Sequence, residues 1–163
     1  MRQDDPAILS RLQHHGVEFV IIGGVCGVLH GVSLVTLDLD VCCRFSPTNL
    51  KRLEAALRNL HPFHRLTPNK LPLQITDELA AQLKNLYLQT DLGTLDCLSQ
   101  VTGIGDYEQV WRRSVTLNRA GGVFPTLDLD GLIAAKEALG RERDLAALKQ
   151  LRAIKEKTQR RPS

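Results

Sequence analysis

The sequence predicts an α/β (α+β) fold, a mixed β-sheet flanked by helices, and three observations carry that expectation. Short apolar, β-branched runs alternate with segments whose apolar residues recur at helical spacing. Residues 86–98 read as an antiparallel hairpin, and strands elsewhere are mixed with helical segments, so a mixed sheet is expected. Two helical stretches, on either side of Gly140, close the chain. With 163 residues, 43% apolar and 24% charged, there is enough chain for a real hydrophobic core. No linker composition interrupts it. A single domain over 1–163 is therefore expected, with a core over about 10–100 and a C-terminal helical part over about 105–158.

Each element has a local cause. Asp5-Pro6 supplies an N-cap and a proline at the first helical position; Ile8, Leu9 and Leu12 follow at helical spacing, and Gly16 ends the helix. The run from Val17 to Ile22 is almost continuously apolar, as in a buried strand. Gly23-Gly24 breaks it, and a short helix through Val25, Val28 and Leu29 closes at His30-Gly31. Strict alternation over 36–42 predicts a strand with Leu37, Leu39 and Val41 on a core face and Asp38 and Asp40 on the other. Ser46-Pro47 opens a helix with Leu50, Leu53, Leu57 and Leu60 along one side. Pro62, Pro68 and Pro72 make 61–72 irregular or an edge. A short helix over 77–83, the hairpin, a helix capped by Asp106 and running through Trp111, and two short strands around Gly121-Gly122 come next. Helices over about 130–139 and 142–157 finish the pattern, with Pro162 helping to stop the second.

Composition excludes several classes. Cys26, Cys42, Cys43 and Cys97 form no C-x-x-C pair and no Cys/His cluster with zinc spacing, so buried free thiols are expected. A net charge of +3 identifies no partner. Lys149, Arg152, Lys155, Lys157, Arg160 and Arg161 crowd one end, and a solvated, fraying helix explains them better than contact with RNA. No apolar run approaches the roughly 18 residues that span a bilayer. Acids and a proline occupy 1–6, where a secretory signal needs an apolar stretch, so a cytoplasmic protein without membrane contact is expected. His14-His15 suits a helix C-terminus, His30 reads as a packing or capping residue, and no Ser/His/Asp arrangement suggests nucleophilic catalysis.

The chemistry concentrates at Asp38-Leu39-Asp40. Two carboxylates at i and i+2 of a strand share a face, about 7 Å apart along the chain. They repel one another, and a divalent cation of the magnesium type relieves that repulsion, taking one or two carboxylates together with water and phosphate. Solvated acids on an edge strand are the bland alternative. Context favours the metal: Gly23-Gly24 ends a strand and opens a helix, with thirteen residues between Gly24 and Asp38, and backbone N–H groups there can approach phosphate. Asp96, on a later strand, is a candidate third carboxylate. The same letters, T-L-D-L-D, recur at 126–130, but there they run into a helical pattern, so Asp128 or Asp130 reads as an N-cap. A dinucleotide-binding unit is disfavoured, because Gly23, Gly24 and Gly27 do not have G-x-G-x-x-G spacing and a doubled acid is unexpected there.

These residues resemble the DNA-polymerase-beta-like nucleotidyltransferase superfamily, known for an apolar-G-[G/S] turn followed by D-x-[D/E], here Ile22-Gly23-Gly24 and Asp38-Leu39-Asp40. The chain is more closely similar to the bacterial and archaeal branch that includes AbiEii-type toxins, through Gly23, Gly24, His30, Gly31, Thr36, Asp38 and Asp40. The hairpin ending in Asp96 and the segment from Lys136 through Gly140-Arg141 to Asp144-Leu145 also match it. The resemblance implies a nucleotidyltransferase fold with C-terminal helices, and magnesium- or manganese-dependent transfer of a nucleoside monophosphate from a nucleoside triphosphate to an acceptor hydroxyl. It implies Asp38, Asp40 and Asp96 as catalytic metal ligands, and Gly23, Gly24, Thr36 and Lys136 as nucleotide-binding residues. Asp96 would hold a metal or take the acceptor's proton, and Arg141 and Asp144 would pair to lock the last helices together. Implied partners are the triphosphate, an RNA, protein or small-molecule acceptor, and a cognate antitoxin or other partner protein. Leu34 stands where that branch often has a basic residue, which leaves a catalytically inactive binding or regulatory module as the alternative.

Overall fold

The computed structural model describes residues 3–160. Helix α1 (Asp5–His14) leads into β1 (Phe19–Ile22), α2 (Gly23–Leu29) and β2 (Leu39–Cys43). Helix α3 (Pro47–Leu57), a 3-10 turn (Arg58–Leu60) and the short β3 (Phe63–His64) come next, then α4 (Asp77–Gln82) and the hairpin of β4 (Asn85–Thr90) and β5 (Gly93–Leu98). A small ribbon, β6 (Gln100–Val101) with β7 (Gly105–Asp106), precedes α5 (Tyr107–Arg112). The hairpin of β8 (Ser114–Arg119) and β9 (Gly122–Leu127) leads to α6 (Leu129–Leu139) and α7 (Glu142–Arg160).

Seven strands form one mixed sheet in the order β3-β4-β5-β2-β1-β9-β8. The pairs β2/β5 and β1/β9 are parallel and the others antiparallel, so the expected mixed sheet flanked by helices is what the chain adopts. Every residue of β1 is buried, as its unbroken apolar run requires of a central strand. Buried residues from Ile8 in α1 to Leu151 in α7 belong to one continuous core. No described helix is long and apolar enough to cross a membrane.

Local signals place the ends. Asp106 closes a reciprocal capping box with Gln109 at the start of α5. Gly140 takes a left-handed conformation (φ 59°) between α6 and α7, the role its position suggested. Cys26, Cys42, Cys43 and Cys97 are all free and buried.

Three expectations need correction, and one element is new. Asp5 is not the N-cap of α1: Asp4 caps it, accepting from Ala7 N at 3.2 Å, while Asp5 turns inward to meet Arg119 at 3.1 Å. The strand expected over 36–42 starts only at Leu39, and Leu37, assigned to the core face, is 77% exposed. The reason is pairing: β1 ends at Ile22 opposite Asp40, so the chain before Leu39 has no β1 residue to pair with. The β6–β7 ribbon was not anticipated, because two-residue strands carry too little periodicity to read. Finally, α7 continues to Arg160, so the basic residues through Arg160 extend the helix; Arg161 and Pro162 lie outside the described residues.

Candidate active site

Strand register lines up one row of side chains across the sheet. Ile22 on β1 is opposite Asp40 on β2, Asp40 is beside Asp96 on β5, and Asp96 is opposite Tyr87 on β4. Arg65, immediately after β3, donates its backbone N–H to the Tyr87 carbonyl at 3.0 Å. Directly paired residues share a face. One surface therefore carries an apolar group, two acids, an aromatic ring and a cation in succession. Asp38 stands two residues before Asp40, and Thr94 two before Asp96; Thr94 Oγ1 donates to Asp38 Oδ1 at 2.6 Å.

The Gly23-Gly24 turn closes over this row. Gly23 has φ +69°, and a Cβ there would lie 2.5 Å from Asp40 Oδ2, so only glycine lets the turn approach the carboxylate. A Cβ on Gly24 would lie 2.7 Å from Thr36 Oγ1. Thr36 Oγ1 in turn donates to the Asp38 carbonyl at 3.0 Å, shaping the approach to β2. Helix α2 has Ile22 as its N-cap with no side-chain cap, which leaves first-turn N–H groups without a side-chain acceptor beside Asp40. His30 Nε2 lies 2.8 Å from the Leu127 carbonyl oxygen, a packing tie and not part of the row.

The three acids differ in their surroundings. Asp38 and Asp40 are half-buried, while Asp96 is only 9% exposed. Burial, then repulsion from Asp96 and Asp38, pushes the Asp40 carboxyl up to about 7; a hydrogen bond to Asp96 adds to the shift, and Arg65 opposes it. Asp96 is held by both guanidinium branches of Arg65: Nη2 lies 3.0 Å from Oδ2, and Nη1 meets Oδ1. The guanidinium also lies 5.4 Å from the centre of the Tyr87 ring.

Lys136 is placed differently from the other candidates. Its Nζ is 3.4 Å from Asp144 Oδ1, a carboxylate only 1% exposed that Arg141 also grips, with Nε at 2.7 Å and Nη2 at 3.1 Å. Asp144 thus ties α6 to the start of α7, with Arg141 within electrostatic reach of Asp40. Asp38, Asp40, Asp96, Gly23, Gly24 and Thr36 come together; Lys136 is committed to Asp144. Arg65, Tyr87 and Thr94 escaped the sequence reading. Thr94 was in principle legible, two residues before Asp96 in the same alternation. Arg65 was not, because it lies in the proline-rich stretch and reaches Asp96 only through strand pairing.

Among the described residues, no three carboxylate, imidazole or thiolate groups converge closely enough to form a metal cage. The donor set still suits a hard cation of the magnesium type, which is commonly held by one or two carboxylates and completed by water and phosphate. Asp38 and Asp40 have no ion-pair partner among the described residues, and burial, followed by repulsion from Asp96 and Asp38, raises the Asp40 carboxyl.

No protein-family model matches the chain, and no curated protein matches it. Solved structures do. The lincosamide antibiotic adenylyltransferase LnuA, solved with lincomycin bound, aligns over 94% of this chain and 99% of its own, with a TM-score of 0.62 and 15% identity. A candidate nucleotidyltransferase from Thermotoga maritima aligns over 89% of this chain and 88% of its own, with a TM-score of 0.56 and 17% identity. The chain has the nucleotidyltransferase fold. ANT(2″)-Ia, solved with adenylyl-2″-tobramycin, shares that fold over 91% of this chain and 94% of its own, with a TM-score of 0.51 and 14% identity. At such identities the likeness concerns architecture. Within this nucleotidyltransferase fold, the acids are defined by this chain's own strand register.

Proposed function

We propose that the chain transfers a nucleoside monophosphate from a nucleoside triphosphate to an acceptor hydroxyl. The observation that carries this reading is the juxtaposition of Asp40 and Asp96 on neighbouring parallel strands, with Asp38 beside them and the Gly23 backbone against Asp40. A magnesium or manganese ion held by Asp38, Asp40 and Asp96 would neutralise charge on the triphosphate and on the departing pyrophosphate. The uncapped first turn of α2, reached through Gly23 and Gly24, offers N–H groups to phosphate oxygens, and Thr36 keeps the loop before β2 in place. Asp96 takes the proton of the acceptor hydroxyl as its oxygen bonds to the α-phosphorus. The bond from the α-phosphorus to the pyrophosphate oxygen breaks, and pyrophosphate leaves. Lys136 and Arg141 are both held by Asp144, so their first role is to tie α6 to α7. The bound lincomycin and adenylyl-tobramycin of the structural neighbours support a small-molecule acceptor ahead of RNA or protein.

The test is incubation with each α-labelled triphosphate, magnesium, and small hydroxylated acceptors or cell extract, alongside Asp38→Ala/Asp40→Ala. Label transfer and pyrophosphate release that disappear in the double variant are expected. Failure to label, under conditions where a related active enzyme labels, would count against the reading.

A second reading has one observation in its favour: Arg65 already occupies both oxygens of Asp96. In that case the chain is an inactive binding or regulatory module of the same fold, and its likeness to the AbiEii-type branch suggests a toxin–antitoxin role with a partner protein. Calorimetry with magnesium and ATP or GTP separates the two, since binding that ignores the loss of Asp38 and Asp40 supports the module.

A further inference from the structure

We propose that Arg65 is a positioning residue that stands in for a divalent cation at Asp96, holding that carboxylate in the free protein and giving it up when metal and nucleotide arrive together. The proposal rests on the nucleotidyl-transfer reading for its purpose, but its physical content is a competition between two cations for one carboxylate.

The geometry is built for this pairing. Neighbouring strands lie about 4.8 Å apart, and Arg65 sits two strands from Asp96, with Tyr87 between them. An arginine side chain is long enough to cross that gap, and it crosses over the Tyr87 ring. Three attachments fix it: the backbone bond to the Tyr87 carbonyl, the ring beneath the guanidinium, and the fork onto both Asp96 oxygens. Among the described residues, no other cation pairs with Asp38, Asp40 or Asp96, because Lys136 and Arg141 are held by Asp144.

Bidentate pairing occupies the two oxygens that a metal would need, and a second positive charge beside the guanidinium is repelled. In the free protein Arg65 therefore weakens divalent binding at these acids. A triphosphate reverses the balance. It brings its own metal, and its oxygens match the same guanidinium fork. Arg65 then exchanges a carboxylate for phosphate, which makes metal and nucleotide binding mutually dependent.

Titration with manganese, followed by loss of the free-ion electron paramagnetic resonance signal, tests the proposal on the full chain without any turnover. Arg65→Gln is expected to bind manganese about tenfold more tightly than the native chain when nucleotide is absent. That advantage should shrink or reverse with a non-hydrolysable triphosphate present. Arg65→Lys, which keeps the charge without the fork, should fall between the two. It also carries the test if circular dichroism shows the glutamine variant unfolded. Equal or weaker manganese binding by a folded variant overturns the role of Arg65 while leaving the transfer reading intact. Absence of manganese binding in every variant, with and without nucleotide, overturns both. A residue that merely supported the fold would not tighten metal binding when removed.

Discussion

Asp40 shows how one residue can be costly in isolation and useful in place. Its carboxyl is pushed up to about 7, first by burial and then by the neighbouring acids. The folded chain thus keeps a proton on Asp40 that the unfolded chain releases near 3.8. Between those values the folded state binds more protons, so this residue lowers stability as the pH rises from about 4 to 7, with no further loss above. Asp40→Asn removes the effect. At pH 8, in chelator, the variant should be more stable to urea than the native chain by about 1–3 kcal/mol, less than a full conversion at about 1.4 kcal/mol per unit because the group is partly solvated. Near pH 4 the difference should vanish. A bound divalent cation needs the ionised form, so apparent manganese affinity of the native chain should rise with pH and level off above about 7, a trend absent from the variant.

At the scale of elements, the chain uses one five-letter string in two ways. Thr36-Leu37-Asp38-Leu39-Asp40 passes from a loop into β2, whereas Thr126-Leu127-Asp128-Leu129-Asp130 passes from β9 into α6. In the second copy Asp128 is the N-cap, accepting from Gly131 N at 2.6 Å. The residues C-terminal to each string decide its fate. Val41-Cys42-Cys43 continues as strand between β1 and β5, while Gly131 to Ala135 supplies an apolar helical stretch that packs inward. Asp128→Ala should cost about 1 kcal/mol in denaturant unfolding, the usual loss of a good cap, and leave manganese affinity unchanged. An equal loss of manganese binding would mean that the second string belongs to the site.

Across the whole molecule, Asp144 joins the C-terminal helices in a small charged cluster. Hydrogen bonds from Arg141, aided by the charge of Lys136, hold its carboxyl below the usual range against the pull of burial. Its sign is opposite to that of Asp40. The stabilisation is present above about pH 4, where the unfolded chain is ionised, and is lost as the pH falls through the lower folded value. Asp144→Ala leaves Arg141 and Lys136 without their shared partner. It should cost about 2–3 kcal/mol at pH 7, at or below the range for breaking a buried pair because Arg141 is partly solvated. That difference from the native chain should narrow toward pH 3 in urea titrations monitored by circular dichroism.

Most local structure was legible in the sequence, because caps, glycine turns and apolar periodicity act over a few residues. Ser46, Asp106, Asp128 and Gly140 mark their helix ends in the way their residue types suggest, and the hairpin ending in Asp96 forms where it was expected. Boundaries that depend on a neighbour were not legible: Leu37 alternates like a strand residue yet has no β1 residue to pair with. By itself, the sequence determined the mixed α/β architecture, the free thiols, and the nomination of Asp38, Asp40 and Asp96 as a set. Only the tertiary structure decided that β2 and β5 lie side by side, which brings Asp40 to Asp96, and that Arg65 crosses Tyr87 to reach the same carboxylate. Side-chain alternation tells which face a residue occupies; which strands become neighbours is settled by the packing of the whole chain.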